Sequence, residues 1–220
     1  MKTEDLIHSL SADLAPVRRL PPVRHRLALW LAVSLPCLMT IALLFGLRPD
    51  LAQCLADQRF LIGNTAALLT GIAAAWAALA TTVPGFSRLP VIALPLAPAL
   101  VWLISAGEGC WRQWQLSGWS GLDSILHQKC LPEIIGTGLI PALALIVLSR
   151  RGASLHPGLT AGLAALAAAA IGSAALSLFH GGDTAWVTLT WHVGGAGLIS
   201  ALAALAGPRL VRHPASFPPA

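Results

Sequence analysis

From Gly152 to Gly182 the chain reads GASLHPGLTAGLAALAAAAIGSAALSLFHGG, with no Asp, Glu, Lys or Arg. A helix crossing a bilayer needs about 20 mostly apolar residues to span a hydrocarbon core of roughly 30 Å. This run holds one with residues to spare, expected over Pro157–Phe179. Working outward, comparable runs recur at 27–47, 61–84, 89–107, 131–149 and 186–206, broken only by Glu133 near the start of the fourth. Pro90, Pro95 and Pro98 lie in the third run, and Pro36 and Pro141 in the first and fourth, positions that membrane helices tolerate. The composition agrees: the 220 residues are 56% hydrophobic and only 10% charged, against about 25% charged in a soluble domain. The expected fold is an all-α membrane protein, a bundle of six transmembrane helices over 27–206. A cytoplasmic amphipathic segment (1–26) precedes it and a cytoplasmic tail (207–220) follows. A cleaved signal peptide is not expected, because the first run is too long for one and lies behind a helix pattern of its own.

Lys and Arg residues set orientation. Lys2, Arg18, Arg19, Arg24 and Arg26 fall on one side with Arg88, Arg150, Arg151, Arg209 and Arg212, and the other side receives Arg48, Arg59, Arg112 and Lys129. This asymmetry predicts a multi-pass membrane protein with both termini cytoplasmic. The formal net charge of +5 is then juxtamembrane, and the run from Arg18 to Arg26 reads as anchors at lipid headgroups. A direct nucleic-acid partner is not expected, since the basic residues are scattered over loops instead of lining one face.

Two segments are long enough to act in water: the N-terminus and the third loop, 108–130. In the first, Thr3, Glu4 and Asp5 suit a helix start. Leu6, Ile7, Leu10 and Leu14 follow at helical spacing, and Pro16 ends the pattern. So short a helix is marginal alone, and its apolar stripe needs a surface to lie on. Two fates stand: the membrane surface, which suits basic better than acidic helices, or a groove on a cytoplasmic partner.

In the second, Cys110 and Cys130 bracket the loop on the expected outer face. Either they form a static disulfide between the third and fourth spans, or they are a reactive or metal-binding pair. For the latter, His127 and His180 complete a candidate set of Cys110, Cys130, His127 and His180. Cys54 is a third outer cysteine, and Cys37 reads as a small apolar packer. Trp111, Trp114, Trp119 and Trp186 read as an aromatic belt, and His192 as a hydrogen-bonding group near the start of the last span. Charged groups are absent from the middle of the spans, which weighs against ion-coupled transport. Gly158 and Gly162 form a GxxxG pair that predicts close helix packing.

Several pieces, taken in order, carry a resemblance. They are Ala15-Pro16-Val17-Arg18-Arg19-Leu20, Gly46-Leu47-Arg48-Pro49-Asp50-Leu51, Val83-Pro84-Gly85, Gly109-Cys110-Trp111, Cys130, Arg150-Arg151-Gly152, and the stretch from Phe179-His180 to Trp191-His192. Together the chain resembles the NrsF family, negative regulators of sigma F, six-helix inner-membrane anti-sigma factors of Gram-negative bacteria. The resemblance implies a partner, an extracytoplasmic-function sigma factor, held at the membrane and released under metal or oxidative stress. It also implies a sensing role for two outer-face cysteines, which match Cys110 and Cys130; Cys37 and Cys54 do not match. His127 is added here as a possible helper, and Leu6, Ile7, Leu10 and Leu14 as the sigma-binding stripe. No cofactor is expected, a metal ion entering only as a transient signal. The competing classes are a small transporter or channel and, ranked last, a membrane thiol oxidoreductase.

Overall fold

A computed structural model describes residues 3–12, 20–120, 122, 125, 130–152, 154–181 and 184–210, without the side chains of Leu10, Cys130, Leu131 and Leu210. The elements are α1 (Thr3–Ala12), α2 (Val23–Phe45), α3 (Leu51–Ala56), α4 (Gln58–Ala80), α5 (Arg88–Ser117), α6 (Cys130–Arg150), α7 (Pro157–Phe179), α8 (Ala185–Val187), a π-helical turn (Thr188–Gly194) and α9 (Gly195–Leu210). Six stretches are long and apolar enough to cross a membrane: α2, α4, α5, Pro132–Arg150 of α6, α7, and Ala185–Arg209. They alternate in direction, so one end of the bundle carries Val23, Ala80, Arg88, Arg150 and Pro157, and the opposite end Phe45, Gln58, Ser117, Cys130 and Phe179.

α7 sits at the centre, packed against α4, α6 and α9, while α5 lies on α4 and α2 on α6. Its small side chains permit this. Ala167, Ala170, Ile171 and Leu176 are fully or almost fully buried. A Cβ on Gly71 of α4 would lie 3.1 Å from the Ala167 carbonyl, and one on Gly138 of α6 would lie 3.1 Å from that of Ala168. The predicted GxxxG pair packs as expected: a Cβ on Gly158 would meet the Ala204 carbonyl at 2.8 Å, and one on Gly162 would meet Ala204 Cβ at 3.1 Å. Lipid tails offer no hydrophobic gain over Leu, so such close contact is what holds membrane helices together. Leu43, Leu44, Ile104, Leu143, Leu198 and Leu202 point outward, as a lipid-facing surface requires.

Two features depart from the expectations. α5 does not stop at Gly107 but runs 30 residues to Ser117, about 45 Å at 1.5 Å per residue. Glu108 and Arg112, four residues apart, pair at 2.9 Å along the helix and so fit its continuation beyond the apolar run. Gly118 ends it, with φ +57° and its N–H donating to the Trp114 carbonyl at 2.7 Å. The third loop is therefore helical at its start, and Cys110 stands on a helix.

Arg26 is the second departure: it is not a headgroup anchor but only 3% exposed. Its guanidinium donates to Thr82 Oγ1 at 2.9 Å, to the Leu148 carbonyl at 3.0 Å and to the Leu79 carbonyl at 3.5 Å. Leu79 and Leu148 lie in the last turns of α4 and α6, where the helix dipole is negative; the Leu79 carbonyl also accepts from Thr82 Oγ1 at 2.7 Å. One cation thus ties α2 to both helix ends. Deeper in α2, Trp30 is fully buried and its Nε1 donates to the Pro141 carbonyl of α6 at 2.9 Å.

Arg26→Ala is expected to destabilise the bundle by roughly 2 kcal/mol, since it takes the donor from the buried Leu148 carbonyl. Exposed Arg24→Ala should stay within about 0.5 kcal/mol. Unfolding of both variants in mixed micelles, followed by far-ultraviolet circular dichroism, checks the contrast; equal losses would remove Arg26 from this role.

Candidate functional site

The end of the bundle opposite the N-terminus carries Arg48, Asp50, Cys54, Cys110, Gln113 and His180. It is assembled on a short bridge. After α2 the backbone turns at Gly46, with φ +82°, and the Arg48 N–H donates to the Leu178 carbonyl at 3.1 Å, seating the bridge on α7. The Arg48 guanidinium grips Asp50 with two bonds of 2.7 Å. This fork-to-fork pairing holds the Asp50 carboxyl well below its ordinary range, at about 2. Cys54, one turn into α3, donates its thiol toward Asp50 Oδ2 at 3.7 Å. Burial pushes that thiol's pKa up, partly offset by the positive charge of Arg48, so at neutral pH it is protonated and a poor nucleophile.

Across the bundle, Cys110 is only 5% exposed, and its Sγ–H donates to the Ala185 carbonyl at 3.1 Å. One turn on, Gln113 Oε1 accepts from the Ala185 N–H at 2.9 Å. A Cβ on Gly109 would lie 3.2 Å from Ala185 Cβ, so glycine at 109 favours this close approach of the two backbones. Gly109, Cys110 and Gln113 therefore clamp the first residue of α8 to α5. The last span then passes through its seven-residue π-helical turn, a conformation that is rare and concentrated at functional positions. His192 within this turn is 4% exposed.

Aromatic rings close the same end. Trp111 stacks on Trp114 at 5.2 Å between centroids, Trp114 meets Trp119 edge-on at 6.4 Å, and Trp119 stacks on Trp186 at 5.7 Å. The four tryptophans expected to cluster do so. Trp191 Nε1 donates to the Ile125 carbonyl at 3.0 Å, linking the third loop to the last span. His180 Nδ1 lies 3.1 Å from Glu133 Oε2, joining the end of α7 to α6.

Of the sequence-derived sensing and metal candidates, Cys110 is a free thiol in the α5–α8 clamp and His180 pairs with Glu133. His127 and the Cys130 side chain lie outside the described residues. Among the described residues no group of three or more His, Cys, Asp or Glu converges to hold a metal ion. Of the apolar stripe, Leu6 and Ile7 are 40% and 61% exposed on α1, whereas the Leu10 side chain and Leu14 lie outside the described residues. The sequence reading gave Gln113, Ala185 and the Arg48–Asp50–Cys54 group no role. The Gly109-Cys110-x-x-Gln113 spacing was the available sign, since it sets three residues on one helical face.

The Arg48–Asp50 pair predicts a pH signature. Because the folded carboxyl lies at about 2 and an unfolded Asp near 3.9, the pair's stabilisation is complete above pH ~4 and is lost as pH falls toward 2. Wild type should therefore exceed Asp50→Asn in unfolding midpoint at neutral pH, with the gap closing over that acidic window. A gap that persists unchanged at pH ~2 would contradict the carboxylate origin.

A family model described as NrsF, negative regulator of sigma F, matches residues 10–213, nearly the whole chain. No curated protein and no solved structure matches significantly.

Proposed function

The chain belongs to the NrsF family, negative regulators of sigma F, and from that premise we propose that it is a membrane-embedded anti-sigma factor. On this reading it sequesters an extracytoplasmic-function sigma factor at the inner membrane and acts by holding its partner, without turnover of a substrate. The family match over residues 10–213 carries the proposal, and the six membrane-length helices support the multi-pass location. The excess of Lys and Arg on the N-terminal side supports cytoplasmic termini, which puts α1 in the same compartment as a sigma factor.

α1 is the proposed contact. Every side chain described on it is exposed, and Leu6 and Ile7 present apolar surface that an isolated ten-residue helix has no internal means of burying. A groove on the partner that takes Leu6, Ile7, Leu10 and Leu14 would order the helix as it binds. The proposed sensor is Cys110 with Cys130, aided by His127, on the other side of the bilayer. Oxidation or metal capture at Cys110 removes the thiol proton donated to Ala185 and so breaks one of the two bonds that fix the start of the last span. Coupling of typical size, about 1–3 kcal/mol, shifts affinity roughly 5- to 150-fold, sufficient to release the partner.

Two measurements test this. Full-length protein isolated in mild detergent from unstressed native cells should carry a sigma factor that a version lacking residues 2–20 loses; absence from both would remove the anti-sigma reading. Replacing Cys110 and Cys130 together with Ser should leave the sigma factor bound through metal or oxidant exposure, while normal release would end the thiol-sensing part and leave binding intact.

A further inference from the structure

A cavity of about 540 Å³ opens among α4, α5, α7 and the last span, at the end of the bundle that bears Cys110. It follows the chain from Asp57, just before α4, to Ala67 of α4, roughly 15 Å, and reaches Trp102 on α5 and Ser173 on α7. Its volume falls within the range of sites for small organic molecules, about 300–1,000 Å³, and far exceeds what a bare ion fills.

The lining holds three guanidiniums, Arg48, Arg59 and Arg112, against one carboxylate, Asp57. Asp50 pairs with Arg48, Glu108 Oε1 accepts from Arg112 Nε at 3.0 Å, and Asp57 Oδ1 accepts from the Arg59 N–H at 3.0 Å. Gln113 must turn its oxygen to the Ala185 N–H, which can only donate, so its NH₂ is left over. Arg59 comes no nearer to Glu108 than 3.9 Å, beyond hydrogen-bond length. Ser173 is 2% exposed and, among the described residues, its Oγ has no hydrogen-bond partner. A buried hydroxyl left unpaired is expensive, and here it lines an open cavity. Trp102 and Phe60 add apolar wall.

We propose that this cavity is a binding site for a small organic acid, a di- or tricarboxylate that accepts from Arg59, the Gln113 amide and Ser173. Carboxylates accept only, whereas sugars and other polyols donate as often as they accept, so the excess of guanidiniums over carboxylates in the lining selects the acid. Nothing in this inference rests on the sigma-factor reading or on thiol sensing; it concerns binding alone.

The test is made on full-length protein in detergent with succinate, glutarate and citrate as probes and glucose as the neutral control, by thermal shift and titration calorimetry. At least one acid should bind saturably and raise the midpoint, and glucose should do neither. Arg59→Gln, at an exposed position, should keep the wild-type fold and weaken the acid about tenfold, the usual size for losing a charge-assisted bond. Ser173→Ala should leave the unliganded midpoint unchanged or higher, because it removes an unsatisfied group, while weakening the acid. Absence of saturable binding by all three acids, equal binding of glucose, or undiminished binding by folded Arg59→Gln would each overturn the proposal.

Discussion

Backbone-to-backbone approach around α7 is the constraint on which the rest of this structure depends. A central membrane helix surrounded on three sides must bring its neighbours close, and the chain provides this with Ala and Gly on both surfaces: Gly71 and Gly138 against α7, and Gly158 and Gly162 of α7 against Ala204. In water a helix with so many alanines at its contacts would bury little apolar area for its length. In a bilayer the relevant gain is van der Waals contact, which small residues maximise by letting main chains touch. The remaining helices are placed by this choice, since α4, α6 and α9 occupy three sides of α7.

Polar groups then sort to the two ends in different ways. At the end that carries the N-terminus, Arg26 reaches the last turns of α4 and α6, and the hydroxyls of Thr81, Thr160 and Ser154 form a chain with successive separations of 2.6 Å. At the opposite end lie the large cavity, the π-helical turn and the Cys110 clamp.

The spans were legible because lipid imposes a one-dimensional rule: about 20 residues without charge, wherever they fall. That rule placed the Pro157–Phe179 helix and the neighbourhood of the other five, and small-residue spacing foretold close packing at Gly158 and Gly162. It misled where charge was tolerated for a reason found far away in sequence. Arg26 is buried because carbonyls 53 and 122 residues away receive it, and α5 continues past Glu108 because Arg112 neutralises it on the same face. The Cys110–Ala185 bond spans 75 residues and leaves only the spacing of Gly109, Cys110 and Gln113 as its trace. The cavity left none, because it is defined by where side chains are absent.

The proposed passage of a signal from thiol to sigma factor turns on the order of events along the last span. Its start is clamped to α5, its next seven residues are π-helical, and its later part is locked to α7, where Gly207 comes so near Gly158 that a Cβ on Gly207 would lie 2.5 Å from Gly158 Cα. A contact between backbones has almost no slack, so a displacement that reaches α9 is handed to α7 instead of being absorbed by side-chain rearrangement. The π-helical turn is the one element between clamp and lock with a ready alternative, because tightening it to α-helical geometry rotates whatever follows. Breaking the Cys110 bond would therefore act on the conformational balance of this turn, and a shift of about 1–3 kcal/mol, the size of ordinary coupling free energies, is comparable with the worth of the one or two hydrogen bonds at stake.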